Sequence, residues 1–368
     1  MKKIGIMSMQ RIANYGSFLQ AYGLKKIIEE LGGEVQFVDY HPGETLIPTT
    51  EGIGIRRKIY KVIETLSYKA PLKEKVKFIK YKKNYATKYY PLLGIGEMNY
   101  SPQLDVLVIG SDEVFNCIQN NTNVGFSTEL FGENNNADRM ITYAASFGNT
   151  TLEKLKQYDI ANSVTSYLLE FDAISVRDKN SGYIINSLTG KEPIYNLDPV
   201  LIYDYIGKCN KIPGNVEEEK YMILYGYSGR FNKTECEEIR KFANQKGLKI
   251  FCIGGVQNAC DKFIDCDPFK VIAYFQHASY IVTDTFHGTI LSVICQKRFI
   301  SIVRETGYSN SEKLIDLLER LGLTFRMVND LSKINKVIET SIDYNNVCET
   351  IKNERIKSYD YLKAMIFS

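Results

Sequence analysis

Short apolar runs alternate with amphipathic helical patterns along almost the whole chain. KKIGIMS, EVQFVDY, LDVLVIG, RMITYAASFG and DAISVRD read as strands in the first half, and YMILYGY, LKIFCIGG, YIVTD and RFISIV in the second. In SFLQAYGLKKIIEELG, Leu24, Ile27, Ile28 and Leu31 fall at i, i+3, i+4 and i+7, one face of a helix, and Gly32 ends it. Further helices are expected at about 151–170, 232–245, 268–278, from 288, at 311–321 and at 346–366. Such alternation builds βα units, because parallel neighbours need a long crossover between them. LDVLVIG, apolar at nearly every position, is the kind of strand a parallel sheet buries on both faces.

A chain of 368 residues is too long for one comfortable core. The pattern loosens at NLDPVLIYDYIGKCNKIPGNVEEEK, which holds two prolines, two glycines and a charge run, so a linker is expected at 201–219. The expected fold class is α/β: two Rossmann-like, doubly wound domains facing a cleft. The first spans 1–200, the second 220–345, and a C-terminal helix occupies 346–368. Ligands of such sheets bind beyond the carboxyl ends of the strands, so the cleft is where a site belongs.

No apolar run approaches the ~20 residues of a membrane span. The opening MKKIGIMSMQ reads as a first strand and not as a signal peptide. Eight scattered cysteines form no CxxC pair, which fits reduced thiols in a bacterial-type cytoplasm and gives no metal-site spacing. The net charge of +3 hides an asymmetry: residues 56–88 carry twelve Lys/Arg against two Glu, a net +10, so the remainder is net −7. With Val76, Ile79, Tyr81 and Tyr85 recurring among the lysines, a basic helical insert at 56–90 is expected. Two readings lead for it: a solvated helical face, or a surface touching anionic lipid, in peripheral contact at the inner face of a membrane, or a phosphorylated acceptor; nucleic acid is the weaker third. No nucleic-acid-binding module accompanies the patch.

Four stretches carry candidate chemistry. The turn Asn14-Tyr15-Gly16-Ser17 opens a helix after strand one, where backbone amides can face an anion; it is neither GxGxxG nor a P-loop, and a plain βα turn is the alternative. Ser111 and Asp112 follow the buried strand LDVLVIG, though Asp112 has the alternative of capping a helix. Arg177 ends another strand, where a guanidinium can hold a carboxylate or phosphate; the alternative is an ion pair with Asp178 or Asp198. His287, one of only three histidines, sits at a helix start beside Asp284. The helix dipole disfavours an imidazolium there while Asp284 favours one, the setting of an acid/base or phosphate-binding histidine. His41, in a turn before Pro42, and His277, mid-helix, read as structural.

Taken together, NYGSFLQAYGLKKIIEELGGEVQFVDY, DVLVIGSDEVFN, ITYAASFG, ISVRD, LDPVLI and VTDTFHGTILSVICQKRFISI resemble the polysaccharide pyruvyl transferase family, in the expected order over about residues 4–325. The resemblance implies a fold similar to B-type glycosyltransferases. It also implies transfer of pyruvate from phosphoenolpyruvate to two hydroxyls of one sugar, free or lipid-linked, giving a cyclic ketal in a cell-surface glycan precursor. No cofactor beyond that donor and no metal is implied. On this resemblance His287, Asp284 and Asp112 are the expected catalytic residues, with Asp284 orienting the imidazole. Arg177, Thr285, Gly288 and Arg304 are expected on the donor side, and Asn14, Tyr15, Gly16, Ser17 and Ser111 on the acceptor side. One departure stands out: the family's phosphate-holding arginine, two residues before the histidine, is Thr285 here. Arg304 or Arg298 is expected to substitute, or the donor differs. The alternatives are a sugar-nucleotide glycosyltransferase and a non-catalytic glycan-binding homologue.

Overall fold

A computed structural model describes residues 1–47, 55–304 and 311–368. The apolar runs become two separate parallel sheets of six strands each. The first contains β1 (Lys3–Met7), β2 (Glu34–Phe37), β3 (Gln103–Asp112), β4 (Asn136–Ala145), β5 (Ser175–Val176) and β6 (Ile194–Tyr195), in the order β2-β1-β3-β4-β5-β6. The second contains β7 (Tyr221–Tyr225), β8 (Lys249–Ile253), β9 (Lys262–Phe263), β10 (Ile281–Thr283), β11 (Phe299–Ile302) and β12 (Met327–Val328), in the order β12-β11-β10-β7-β8-β9. Strand order reverses between β1 and β3 in one sheet and between β7 and β10 in the other. At such switch points the crossover helices leave to opposite faces and open a crevice beyond the strand ends.

The central strands are held by burial. Ile4 and Ile6 of β1 face Val106 and Val108 of β3 in register, and all four are fully buried. Helix α1 (Tyr15–Glu30) covers this sheet with its i, i+3, i+4 stripe. It starts where it does because Asn14 caps it, the side chain accepting from the Gly16 amide at 2.8 Å.

Several local expectations are revised. The stretch expected as a linker at 201–219 begins as packed structure: short helices run over Pro199–Ile202 and Tyr205–Lys208, and Leu201, Ile202 and Tyr205 are buried. Pro199, just ahead of that stretch, breaks nothing, because Asp198 is an N-cap and the proline sits in the first turn, where a missing N–H costs nothing. The helix expected at 151–170 is two, Leu152–Gln157 and Ala161–Leu169, separated around Asp159, whose φ of 55° no helix accommodates. The basic insert is also two helices, α2 (Ile55–Ser67) and α3 (Leu72–Leu93), parted before Pro71.

Helix α3 is not a freely solvated face. Phe78, Tyr81, Tyr85 and Tyr89 are buried. Tyr81 packs on Tyr15 of the first half and Phe263 of the second, with centroids 5.6 and 5.4 Å apart. Lys77 Nζ donates to the Phe263 carbonyl at 2.7 Å, and Lys82 Nζ to that of Ala13 at 3.2 Å. α3 is therefore a strap across both sheets. The C-terminal helix Tyr344–Phe367 lies against the first half, with Tyr361 Oη donating to the Thr142 carbonyl of β4 at 2.7 Å and Arg355 Nε to that of Ile202 at 2.6 Å. Among the described residues no helix is long and apolar enough to cross a membrane.

Candidate active site

The carboxyl ends of β1, β3 and β5 face those of β7 and β10 across a cavity of about 250 Å³. Its walls include Asn14, Tyr15, Ser17, Asp112, Glu113 and Arg177 from the first half, Tyr227, Arg230, Thr285, His287 and Lys313 from the second, and Lys82 from the strap α3. Asn14 Nδ2 donates to Tyr227 Oη at 2.6 Å, joining the two rims.

At the cavity floor an arginine and a histidine share one carboxylate. Arg177 Nη1 donates to Asp198 Oδ2 at 2.8 Å, and His287 Nε2 lies 3.4 Å from the same oxygen, an ion-pair distance without hydrogen-bond alignment. Burial pushes the Asp198 carboxyl up, but the neighbouring His287 and Arg177 and the Val200 amide outweigh it and hold it at about 2. Burial likewise opposes charge on Arg177, yet the surrounding Asp112, Asp198, Glu113 and Asp178 raise it above the ordinary arginine value. The guanidinium also stacks 4.5 Å from the Phe286 ring. The alternative left open for Arg177, an ion pair with Asp198, is thus the arrangement found, with Asp112 Oδ1 a second partner at 3.4 Å.

A second unit adjoins it. Ser17 Oγ donates to Asp112 Oδ2 at 2.8 Å. Asp112 holds φ of 77°, a left-handed conformation that strands avoid, and so turns its side chain off the end of β3. Glu113, ion-paired with Lys313, links the halves again; burial raises its carboxyl, and Lys313 and Arg177 more than compensate. Gly16 lies against the imidazole so closely that a Cβ there would overlap the His287 ring.

Other expected residues lie elsewhere. Asp284 does not orient His287. It is fully buried and paired with Arg230 Nε at 2.7 Å and Arg304 Nη2 at 3.5 Å, while Asp198 takes the place beside the imidazole. The reason is direction: the helix Phe286–Ile294 begins two residues after Asp284, and its first turn carries His287 toward the other half. Arg304 is off the cavity wall, bound to Glu235, and Arg298 pairs with Glu339 at a half-exposed site. Thr285 reaches the cavity but its hydroxyl caps the helix, accepting from the Gly288 amide at 3.0 Å. That occupies the Gly288 N–H, and Gly288 itself is packed against Thr283 and Tyr225. Ser111 is fully buried behind the site, donating to the Ala144 carbonyl at 3.2 Å and Asp198 Oδ2 at 3.4 Å. Asn14, Tyr15, Ser17, Asp112, Arg177, Thr285 and His287 do converge on one cavity.

The cations the sequence reading missed are Arg230, Lys313 and Lys82. Arg230 follows a turn with no periodic signal. Lys313 was detectable, since it lies four residues before Leu317, on the apolar stripe of its helix, where a charge is out of place unless paired. Among the described residues no group of three or more His, Cys, Asp or Glu side chains is placed to hold a metal ion.

A sequence profile described as polysaccharide pyruvyl transferase matches residues 14–306. No curated protein matches the chain. Among solved structures, the UDP-GlcNAc 2-epimerase of Methanocaldococcus jannaschii is similar with a TM-score of 0.49 and 10% identity, over 98% of this chain and 100% of that one. The UDP-bound MnaA of S. aureus gives 0.48 and 13%, over 99% and 91%. The glycosyltransferase SsfS6 of Streptomyces sp. SF2575, complexed with thymidine diphosphate, gives 0.47 and 11%, over 100% of both.

Proposed function

The chain belongs to the polysaccharide pyruvyl transferase family, enzymes that transfer pyruvyl groups, and we propose that its donor is phosphoenolpyruvate and its product a cyclic ketal bridging two hydroxyls of one sugar. The acceptor is a cell-surface glycan precursor, carried on a lipid and met at the inner face of the membrane. The observation that carries this reading is the convergence of one histidine and several cations on a cavity between two switch points.

The chemistry needs a proton delivered to the methylene carbon of the donor, attack of a sugar oxygen on the adjacent carbon, departure of phosphate from that now tetrahedral carbon to leave an oxocarbenium ion, and its capture by the second hydroxyl. The two hydroxyls release two protons; one completes the new methyl group and one leaves on phosphate. His287 is the acid, placed 3.4 Å from Asp198 Oδ2. Asp112, accepting from Ser17, is the base for the attacking hydroxyl. Arg177, with both terminal nitrogens directed at carboxylates, organises the floor and does not take the donor's charge. The donor's phosphate and carboxylate fall to Arg230, Lys313 and Lys82, which replace the cation missing at Thr285. Glu113 shields Lys313 until an anion arrives.

Two measurements test this. Phosphoenolpyruvate at about 100 times its Kd stabilises the protein by ~2.7 kcal/mol. Incubation with phosphoenolpyruvate and candidate glycans releases phosphate and yields a product with a new methyl signal in its proton NMR spectrum. A vinylic product defeats the ketal. A thermal shift with nucleotide sugars and none with phosphoenolpyruvate defeats the donor.

A further inference from the structure

Helix α2 turns its apolar side chains outward. Ile59, Val62, Ile63 and Leu66 fall at i, i+3, i+4 and i+7, a single stripe, and are 53%, 38%, 61% and 43% exposed. A stripe of that pattern ordinarily faces a core. Here the side of α2 turned to the protein is marked by Thr65, 5% exposed and about 100° round the helix from the stripe. The start of α3 continues the surface with Leu72 at 65% and Val76 at 40%. Elsewhere on the described surface large apolar side chains are exposed singly or in pairs, which needs no explanation. Seven within eighteen residues, Tyr60 among them, do.

Cations surround the stripe. Lys69, Lys73, Lys80 and Lys83 are exposed beside it, and Arg56, Arg57 and Lys58 add three charges to the sequence of α2. The one exposed acid among them, Glu64, accepts from Tyr68 Oη at 3.0 Å. We propose that α2 and the start of α3 form a docking surface for an anionic lipid bilayer, with the apolar stripe entering the acyl boundary and the lysines meeting headgroup phosphates. A basic amphipathic helix binds in this way, through buried apolar area together with attraction to anionic lipid. Two copies of this chain meeting through the patch would set lysine against lysine, so charge selects the bilayer over self-association.

The surface is fixed at the rim of the cavity. The hairpin between α2 and α3 is held by Asn258 Oδ1, which accepts from the Lys69 amide at 2.9 Å, and by Tyr68, packed on Gly229 next to cavity-lining Arg230. Lys82, further along α3, lines the cavity itself. Docking would therefore hold the cavity mouth near the plane where a lipid-linked glycan emerges. That consequence rests on the proposed reaction; the docking does not.

The test is co-sedimentation of the full chain with vesicles of phosphatidylglycerol and phosphatidylcholine, against phosphatidylcholine alone. The wild type binds the anionic vesicles at ~0.1 M salt and several-fold more weakly at ~1 M, where screening shortens from ~10 to ~3 Å. I63E/L66E lowers binding at least ~10-fold with an unchanged melting temperature, and K73E/K80E lowers it through charge alone. No binding of the wild type to anionic vesicles overturns the proposal, as does wild-type binding by I63E/L66E. A lipid-free dimer that I63E/L66E converts to monomer assigns the patch to self-association and also overturns it. None of these readouts needs donor or acceptor, so a wrong donor and a wrong docking surface give different results.

Discussion

Arg177 Nη1 and Asp198 Oδ2 meet at 2.8 Å with side-chain exposures of 2% and 0%. A pair so buried is costly to break from one side, because the partner is left charged and dry. Asp198 also reaches His287 of the other half, so one carboxylate ties the floor of the first sheet to the helix Phe286–Ile294 of the second. Asp198→Asn is expected to destabilise the protein by about 3 kcal/mol at neutral pH, measured by urea unfolding. Because Asp112 still faces Arg177 at 3.4 Å, loss should stop short of unfolding.

The same carboxylate sets an acid limit. Its folded value of about 2 lies below the ordinary 3.8. A depressed acid contributes stability above its unfolded value, and that contribution is lost as pH falls through the folded one. The shift corresponds to about 2 kcal/mol. The stability gap between wild type and Asp198→Asn should therefore be constant from pH 7 to pH 5, in the range of ordinary stability measurements, and shrink by about 2 kcal/mol as pH falls from ~4 toward ~2. A gap that does not change over that window contradicts an ionised Asp198.

His287→Ala should lower turnover by about 10²–10⁴-fold, the range for losing a general acid. His287→Gln separates two roles, since an amide can donate to phosphate and cannot shuttle a proton; it should match His287→Ala in kcat and stay near wild type in KM. A variant with a lowered melting temperature and wild-type specific activity makes the imidazole a packing residue.

Much of this was legible before the structure, for reasons specific to each residue. The strands β1, β3, β7 and β10 announce themselves as apolar runs because central strands of parallel sheets are buried on both faces. The residues just after them then mark the cavity by topology alone, which is how Asn14, Asp112 and His287 were found. Asp198 was visible only as a possible partner of Arg177, because Asp-Pro beside later glycines reads as a breaker when it is in fact an N-cap with a proline in the first turn. Asp284 was misassigned since adjacency in sequence does not fix direction at a strand–helix junction. In the basic insert, Tyr81 and Tyr85 stood out among the lysines, but one sequence cannot show that with Phe78 and Tyr89 they bury α3 between the halves.

Arg230 should answer for the missing cation at Thr285. Its Nε is held by buried Asp284 at 2.7 Å, and Arg304 in turn donates to the Arg230 carbonyl at 3.0 Å, so the residue is braced at the cavity wall. A charge-assisted hydrogen bond to a ligand contributes about 1.5–3 kcal/mol, so Arg230→Ala should raise the KM for phosphoenolpyruvate by roughly 10–150-fold with a smaller change in kcat. Arg230→Lys keeps the charge and loses the fork, and should fall between. A wild-type KM in Arg230→Ala places the donor's anion on other groups.

Gly16 provides the most local test of whether His287 must sit where it does. The residue lies two after the N-cap of α1 and its backbone lies close against the imidazole, so that an added Cβ would overlap the ring atoms. Neither partner can give way cheaply: the α1 backbone is anchored by the Asn14 cap, and the imidazole stands between Gly16 and Asp198. Gly16→Ala retains helical backbone, so any harm comes from the methyl group and not from the turn. Overpacking of this kind costs about 1–3 kcal/mol of stability, and the displaced ring loses its distance to Asp198 and its aim at the donor. Turnover should then fall by about 10²-fold or more, approaching His287→Ala, since small misplacements of a reacting group are that damaging. The double variant Gly16→Ala/His287→Ala is the decisive comparison. With the ring removed the methyl has room, so its stability should recover relative to Gly16→Ala while turnover stays at the level of His287→Ala. Additive losses in both quantities would show that Gly16 and His287 act independently, and that the close approach of the first half to the imidazole has no part in catalysis.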